Sequence, residues 1–475
     1  MVVTKKLEIN NLDGLNRGAS PLLLQDGELE RCLNYFTDRI GEKKKRPGSA
    51  IFLDIPDTDK IRSLIYFEKS NGAIRRLIRV SGANIYVHDF TGSSWGSVKR
   101  SITSTTQRMA HAALAGKLIL TDGINIVQEY DGTTMQDVPS APRGKYAATF
   151  NRRVAIWGVE GNEDRLYRSK VDDPTSWTID ANDPQSAEYW DVDPDSRGDL
   201  TGGAPIAKRL TLFKPKSAYR FDGQEFSKVP TSEGLSSNEG LKEVEDMFFY
   251  PNRAGIYGFI GDKPTSLSRF IRDYYQGIGS GEWNEDNGTL AGVAWGEHYL
   301  LSVGDIKDRD SNTYNRAVFA YNQQLNQWYL WTFAIRPECW VTCPDSNDVQ
   351  QTYWGDANGQ AHIFNSGTAD GTTNIDTELV IPLQFKNMDQ KVRLKHLILW
   401  AKPANGVKVQ YSFEEAEWEN LDEATSYRSV MKFPPSAVGY VPRIRLVESS
   451  SATAHSIRKL TVGYQDEGDW SAETG

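Results

Sequence analysis

Cysteine is nearly absent. The 475 residues hold three, Cys32, Cys339 and Cys343, too few for a disulfide framework, and the odd count fits synthesis in a reducing compartment. Cys339 and Cys343 would make half of a metal site, but no second Cys or His pair at ligand spacing accompanies them, so they read as buried thiols. Long apolar runs are missing too. Nothing approaches the roughly 18 residues of a membrane span, and the opening MVVTKKLEINNLDGLNRG carries charges where a secretory signal needs an apolar core. Six histidines are scattered one to a segment, which disfavours a shared metal. Positive charge is in deficit, 54 Lys and Arg against 63 Asp and Glu, net −9, so the chain lacks the cationic footprint that grips phosphate backbones without specificity. No Gly-x-Ser-x-Gly elbow, Walker loop, His-Glu-x-x-His or dinucleotide glycine fingerprint occurs. The expectation is a chain that is not an enzyme and needs no cofactor.

What is present suits pleated sheets: 39% hydrophobic residues, 11% aromatic, with 13 Trp and 21 Tyr. The most legible unit is KLILTDGINIVQEYDGTTMQDV, from Lys117 to Val138. Leu118, Ile119 and Leu120 lead into Asp122-Gly123, alternation resumes through Ile124, Ile126 and Val127, and a second turn falls at Asp131-Gly132. Asp-Gly between alternating segments is a strong hairpin signal. One hairpin cannot hide its apolar face, so stacked copies are expected.

Variants of this unit recur from Ile51 to Gly367, with corresponding strands centred near Tyr86, Val127, Tyr167, Tyr219, Leu267, Phe319 and Ile363. The period, roughly 40 to 50 residues, is that of a four-stranded propeller blade. A large sandwich of hairpins is the alternative, but sandwiches rarely hold one period so long. The fold expected is all-β: an irregular six- or seven-bladed β-propeller at 51–367, preceded by a connecting segment at 1–50. A Gly/Thr linker follows, then an antiparallel β-sandwich at 376–465 built from segments such as VRLKHLILWAK. An acidic tail at 466–475 ends the chain.

Two charged stretches stand out. Lys43, Lys44, Lys45 and Arg46, closed by Pro47 and Gly48, read as a solvated turn or as a contact to an acidic partner surface or phosphate. The loop from 180 to 203 carries Asp191, Asp193, Asp195 and Asp199. It lacks the glycine and terminal Glu of a calcium loop, as does Asp305, Asp308 and Asp310, so no metal is expected. A carbohydrate-cleaving propeller is the enzymatic competitor. DDPTSW at 172–177 faintly matches an Asp-box turn of sialidases, but Pro174 and Lys170 replace the expected Gly and Ser, and the motif does not recur.

The opening pattern GLNRGASPLLLQDGELERCLNYFTDRIGEKKKRPG has a Gly-Leu-Asn start, Pro-x-x-Leu before Asp-Gly-Glu, a Leu-Asn, and a basic run into Arg-Pro-Gly. It resembles the start of tail nozzle or tail hub (packaged-DNA stabilisation) proteins of short-tailed bacteriophages. RMAHAALAGKLILTDGINIVQEYDGT, FNRRVAIWGVEGNEDRLYRSKVDDPTSW and NRAVFAYNQQLNQWYLWT follow in the same order as that family's blades. The resemblance implies a structural virion protein, made in the host cytoplasm, that forms a hexameric ring around the DNA channel. The ring would sit below the head-to-tail adaptor, above a distal needle or fibre, in sliding contact with packaged double-stranded DNA. No catalytic residues are inherited. On this reading Lys43 to Arg46 become a candidate adaptor contact, and the Asp191 to Asp199 loop a candidate lumen or ring contact.

Overall fold

The computed structural model describes residues 4–69, 72–283, 290–385, 390–402, 406–414, 416–449 and 455–467. It is a β-propeller. Five four-stranded antiparallel sheets and the equivalent parts of two larger sheets give seven blades. Blade one runs from Ile61 to Ser101, blade two from Ala110 to Asp137, blade three from Gly144 to Asp191 and blade four from Gly202 to Lys228. Blade five runs from Lys242 to Ser266, blade six from Ala291 to Thr332, and blade seven begins at Cys339.

The apolar run Leu118-Ile119-Leu120 shows why these sheets form. The central strand Lys117–Thr121 of blade two is covered on both faces. Leu118 and Leu120 pack into the apolar cluster shared with blade one, while Ile119 joins the cluster shared with blade three. Period-two alternation therefore sends successive apolar side chains to opposite neighbours, and the strand reads as a continuous apolar run. Val154 and Ile156 of blade three likewise face blade two, whereas Ala155 and Trp157 face blade four.

The Asp-Gly signals mark turns, though not two-residue ones. The Asp122 carboxylate accepts the backbone N–H groups of Ile124 (3.0 Å) and Asn125 (2.8 Å), with Gly123 at φ +82°. The next strand starts only at Gln128, leaving Ile124 and Ile126 exposed in the turn. The same side-chain cap recurs at Asp131, Asp222, Asp345 and Asp356, the local competition with ladder bonds at which Asp excels. Six of the seven expected strand centres lie on or beside the third strand of their blade. Leu267 does not: in blade five that strand is Gly255–Phe259, and Leu267 leads into a short helical insertion.

The first fifty residues do not merely connect. Ser49–Phe52 is the outer strand of blade seven, antiparallel to Ala361–Phe364, so the ring is closed by an early segment of the chain. The expected linker contributes Ala369–Asp370, and a Cβ on Gly48 would lie 2.0 Å from the Ala369 carbonyl oxygen, so that crossing needs glycine. Lys5–Ile9 pairs with Ser456–Asp466, and the hairpin Tyr35–Arg39/Glu42–Lys45 joins the same strand at Lys43 and Lys44. Arg31–Leu33 pairs with Thr377–Pro382 on one side and meets Leu330 of blade six on the other.

The strands of 376–465 accordingly do not make a self-contained sandwich. They divide between two sheets, each completed by strands from the first fifty residues, and one of the sheets continues into blade six. Leu379, Val409 and Leu446 from one sheet and Leu397, Leu460 and Val462 from the other share an apolar cluster with Trp328 and Trp331 of blade six. Of the acidic tail, only Asp466 and Glu467 lie among the described residues.

Candidate functional site

Most of the basic run is the strand Glu42–Lys45, whose alternation turns Lys43 and Lys45 inward and Lys44 outward, with Arg46 buried just past its end. Lys43, Lys45 and Arg46 are 0%, 1% and 1% exposed, while Lys44 points outward to Asp38 at 3.2 Å. The Lys43 ammonium donates to Thr37 Oγ1 and Gln327 Oε1 (3.1 Å) and lies 4.9 Å from the Tyr329 ring centroid. Burial pulls its pKa down to about 8. Lys45 Nζ is 3.0 Å from Glu448 Oε2, both groups fully enclosed. Beside them His455, held by the Tyr35 hydroxyl, is pushed down to about 3 by burial and by Lys45. Arg46 forks onto both Asp370 oxygens (3.1 and 2.6 Å), donates from Nε to Asn34 Oδ1 (3.1 Å) and stacks 4.2 Å from the Phe333 centroid. The expectation of a surface patch is thus corrected. Three of the four cations are internal struts tying the early segment to blades six and seven and to Glu448, and only Lys44 is placed to touch a partner.

A second seam lies nearby. Arg17, almost fully buried, reaches Asp310 (2.6 Å), Asp273 (2.8 Å), Glu30 (3.7 Å) and Asp308 (3.8 Å). Arg443 bonds Glu30, Arg31 and Arg445 bond Glu378, and Arg309 lies 3.9 Å from Asp273 and Asp310. Five guanidinium groups face five carboxylates, so the junction is electrically balanced and serves to join the propeller to the two-sheet region. Nothing local marks Arg17 or Glu30 in the sequence, because their partners are up to 413 positions away.

The acidic loop is organised rather than loose. Asp191 pairs with Arg165 (2.7 Å), and Asp193 accepts the Tyr219 hydroxyl. Buried Lys214 pins the loop from beneath, donating to the carbonyl oxygens of Asp193 (3.0 Å) and Ser196 (3.4 Å) while paired with Asp164 at 2.8 Å. Asp195 and Asp199 are exposed. Among the described residues no three His, Cys, Asp or Glu side chains come together as metal ligands. Asp308 caps its own turn through Asp310 and Asn312 N–H.

The innermost strands of the seven blades surround a cavity of about 400 Å³ lined by, among others, Tyr66, His111, Glu239, Lys242, Glu243 and Trp340. His111 touches solvent in the cavity yet is ringed by protein, and burial together with Lys242 brings its pKa down to about 4. For Glu239 burial acts upward, but Lys242, Arg108 and His111 outweigh it and hold the carboxyl below its ordinary value. Glu239 is thereby held as an anion in the cavity wall.

No family model matches the chain, and no curated protein matches it. Among solved structures it is similar to BBS1N in complex with ARL6DN, at 9% identity, 67% of this chain, 97% of that chain and a TM-score of 0.42. It is similar to YCF48 bound to D1 peptide at 9% identity, 69% and 96% coverage and a TM-score of 0.38. The WD40 repeats of RRP9 follow at 7% identity, 68% and 99% coverage and 0.42. At these scores the overlap carries no functional weight, and the class of the molecule, a closed β-propeller, rests on its own strand pairing. No helix among the described residues is long and apolar enough to cross a membrane.

Proposed function

We propose that the chain is a structural subunit of a short-tailed phage tail. It forms a ring, six subunits on the family's pattern, that continues the DNA channel below the head-to-tail adaptor, with a needle or fibre beneath. In that role it helps retain packaged DNA and conducts it at ejection. The observation that supports this reading best is the placement of the opening segment, whose pattern carries the resemblance. Its residues are the seam of the molecule, closing blade seven, completing both sheets of the 376–465 region and locking them with Arg17, Lys45 and Arg46. A subunit so stitched suits a part that bears load rather than one that turns over substrate. The net charge of −9 suits a conduit past which DNA slides, since like charge avoids sticking.

Electron microscopy of the purified chain and of virion tails tests this directly. Sixfold end-on views are expected. A chain that stays monomeric at high concentration and is missing from virions would refute the ring. The glycan-cleaving alternative predicts sugar release that Glu239→Gln abolishes.

A further inference from the structure

The strands Val392–Lys402, Arg428–Lys432 and Ser456–Asp466 turn Leu397, Leu399, Met431, Leu460 and Val462 into the core. Their opposite face has a different character. Cross-strand register puts Trp400 between Arg428 and Lys459, and Ile398 between Val430 and Thr461, with Lys432 beside His396. Arg428 lies 5.6 Å and Lys459 5.3 Å from the Trp400 ring centroid. Carboxylates reach this face at Glu8, 2.9 Å from Lys459 and brought in by Lys5–Ile9, and at Glu467, paired with Arg393. Val430 is 52% exposed on a strand paired on one side only among the described residues. An apolar centre with a charged rim is the anatomy of a protein interface, and an open edge bearing an exposed valine calls for cover.

The complementary surface is on the same molecule. On the outer strand of blade three, Glu188–Asp191, Tyr189 is 47% exposed, and the strand runs on into the loop that carries exposed Asp195 and Asp199. The chain as a whole is acidic, so a second copy supplies an apolar and an anionic counterpart to this face. We propose that the Trp400/Val430 face of one copy docks onto the acidic outer edge of blade three of the next. The contact is heterologous, joining two different patches, and such contacts generate rings when the rotation closes. This rests on the ring reading and names the surfaces that build it. Duplex DNA is the poorer occupant, because phosphate contacts call for a cationic surface and the centre of this face is apolar.

Sedimentation and electron microscopy of the full chain decide the matter. Wild type is expected to form rings that loosen as salt rises. Val430→Glu with Arg428→Glu is expected to weaken association about a hundredfold, the scale of a lost interface centre, with an unchanged melting curve. Asp195→Lys with Asp199→Lys is expected to weaken it as well, and mixing the two variants to restore assembly through the swapped charges. If the Val430/Arg428 variant still forms wild-type rings, this contact is wrong and the ring stands. If wild type is monomeric in solution and absent from virions, the ring reading itself fails. Binding of a DNA duplex that the Arg428→Glu change abolishes, without any effect on assembly, would overturn the proposal in favour of nucleic acid.

Discussion

Arg46→Met separates a strut from a contact. In the native protein the guanidinium neutralises Asp370 through two hydrogen bonds, donates to Asn34 and covers Phe333, with no exposure to water. Methionine fills much of the volume but leaves Asp370 charged, with only the Ser49 hydroxyl (3.0 Å) and the Ala334 N–H (3.1 Å) as donors. Removing one partner of a buried pair costs about 3–5 kcal/mol, because the survivor is left uncompensated. The unfolding entropy of a chain this long is about 1 kcal/mol/K, so the melting temperature should fall by about 3–5 °C if unfolding is cooperative. Arg46→Lys should recover only part of that, since an ammonium cannot fork. Arg46→Met combined with Asp370→Asn should cost clearly less than the sum of the single changes. Circular dichroism melts and denaturant titrations read wild type, the three single variants, Asp370→Asn included, and the double variant. If Arg46→Met melts like wild type while assembly or adaptor binding is lost, the arginine is a surface contact and the reasoning here is wrong.

Buried His298 should make the fold acid-sensitive. Burial lowers its pKa to about 4 from an ordinary 6.5, so the unfolded chain binds a proton that the native state refuses. Its contribution is whole above pH 6.5 and is lost as pH falls toward 4, by about 2 kcal/mol at pH 5; His298→Gln should flatten that part of a stability-versus-pH curve. Lys43 acts at the other end. With a folded value of about 8 against 10.5, its penalty of about 3 kcal/mol is full below pH 8 and fades as pH rises to 10.5. Lys43→Met should therefore be neutral or stabilising at pH 7 and lose its advantage by pH 10, as denaturant midpoints will show. Gly48→Ala should cost about 2 kcal/mol or more through the clash with Ala369, visible as a lower melting temperature.

The blades were legible because apolar residues alternate toward two neighbours, and in several blades an Asp caps its own turn. Tyr86, Tyr167, Tyr219, Phe319 and Ile363 all fall in third strands. Leu267 failed because the short last strand of blade five, Thr265–Ser266, runs straight into the helical turns Ser268–Ile271 and Arg272–Gln276, which break the spacing. The pairing of Lys5 with Tyr464 leaves no local trace at all, so a segment that is structurally central reads as a connector. The basic run misled for another reason. In Lys43-Lys44-Lys45 the inward and outward positions hold the same residue type, so the alternation that separates core from surface is invisible. Likewise Trp400 and Val430 read as ordinary strand residues until the register put them beside Arg428 and Lys459.

Strand partners separated by more than four hundred positions also set the order of biosynthesis. While the chain is being translated, residues 5–9 and 43–44 wait with open edges until 456–466 emerge, and the outer strand of blade seven waits for 361–364. High contact order makes such a step slow, and unpaired edges invite sticking. A nascent molecule stalled before residue 456 should be the species that chaperones hold and proteases clear.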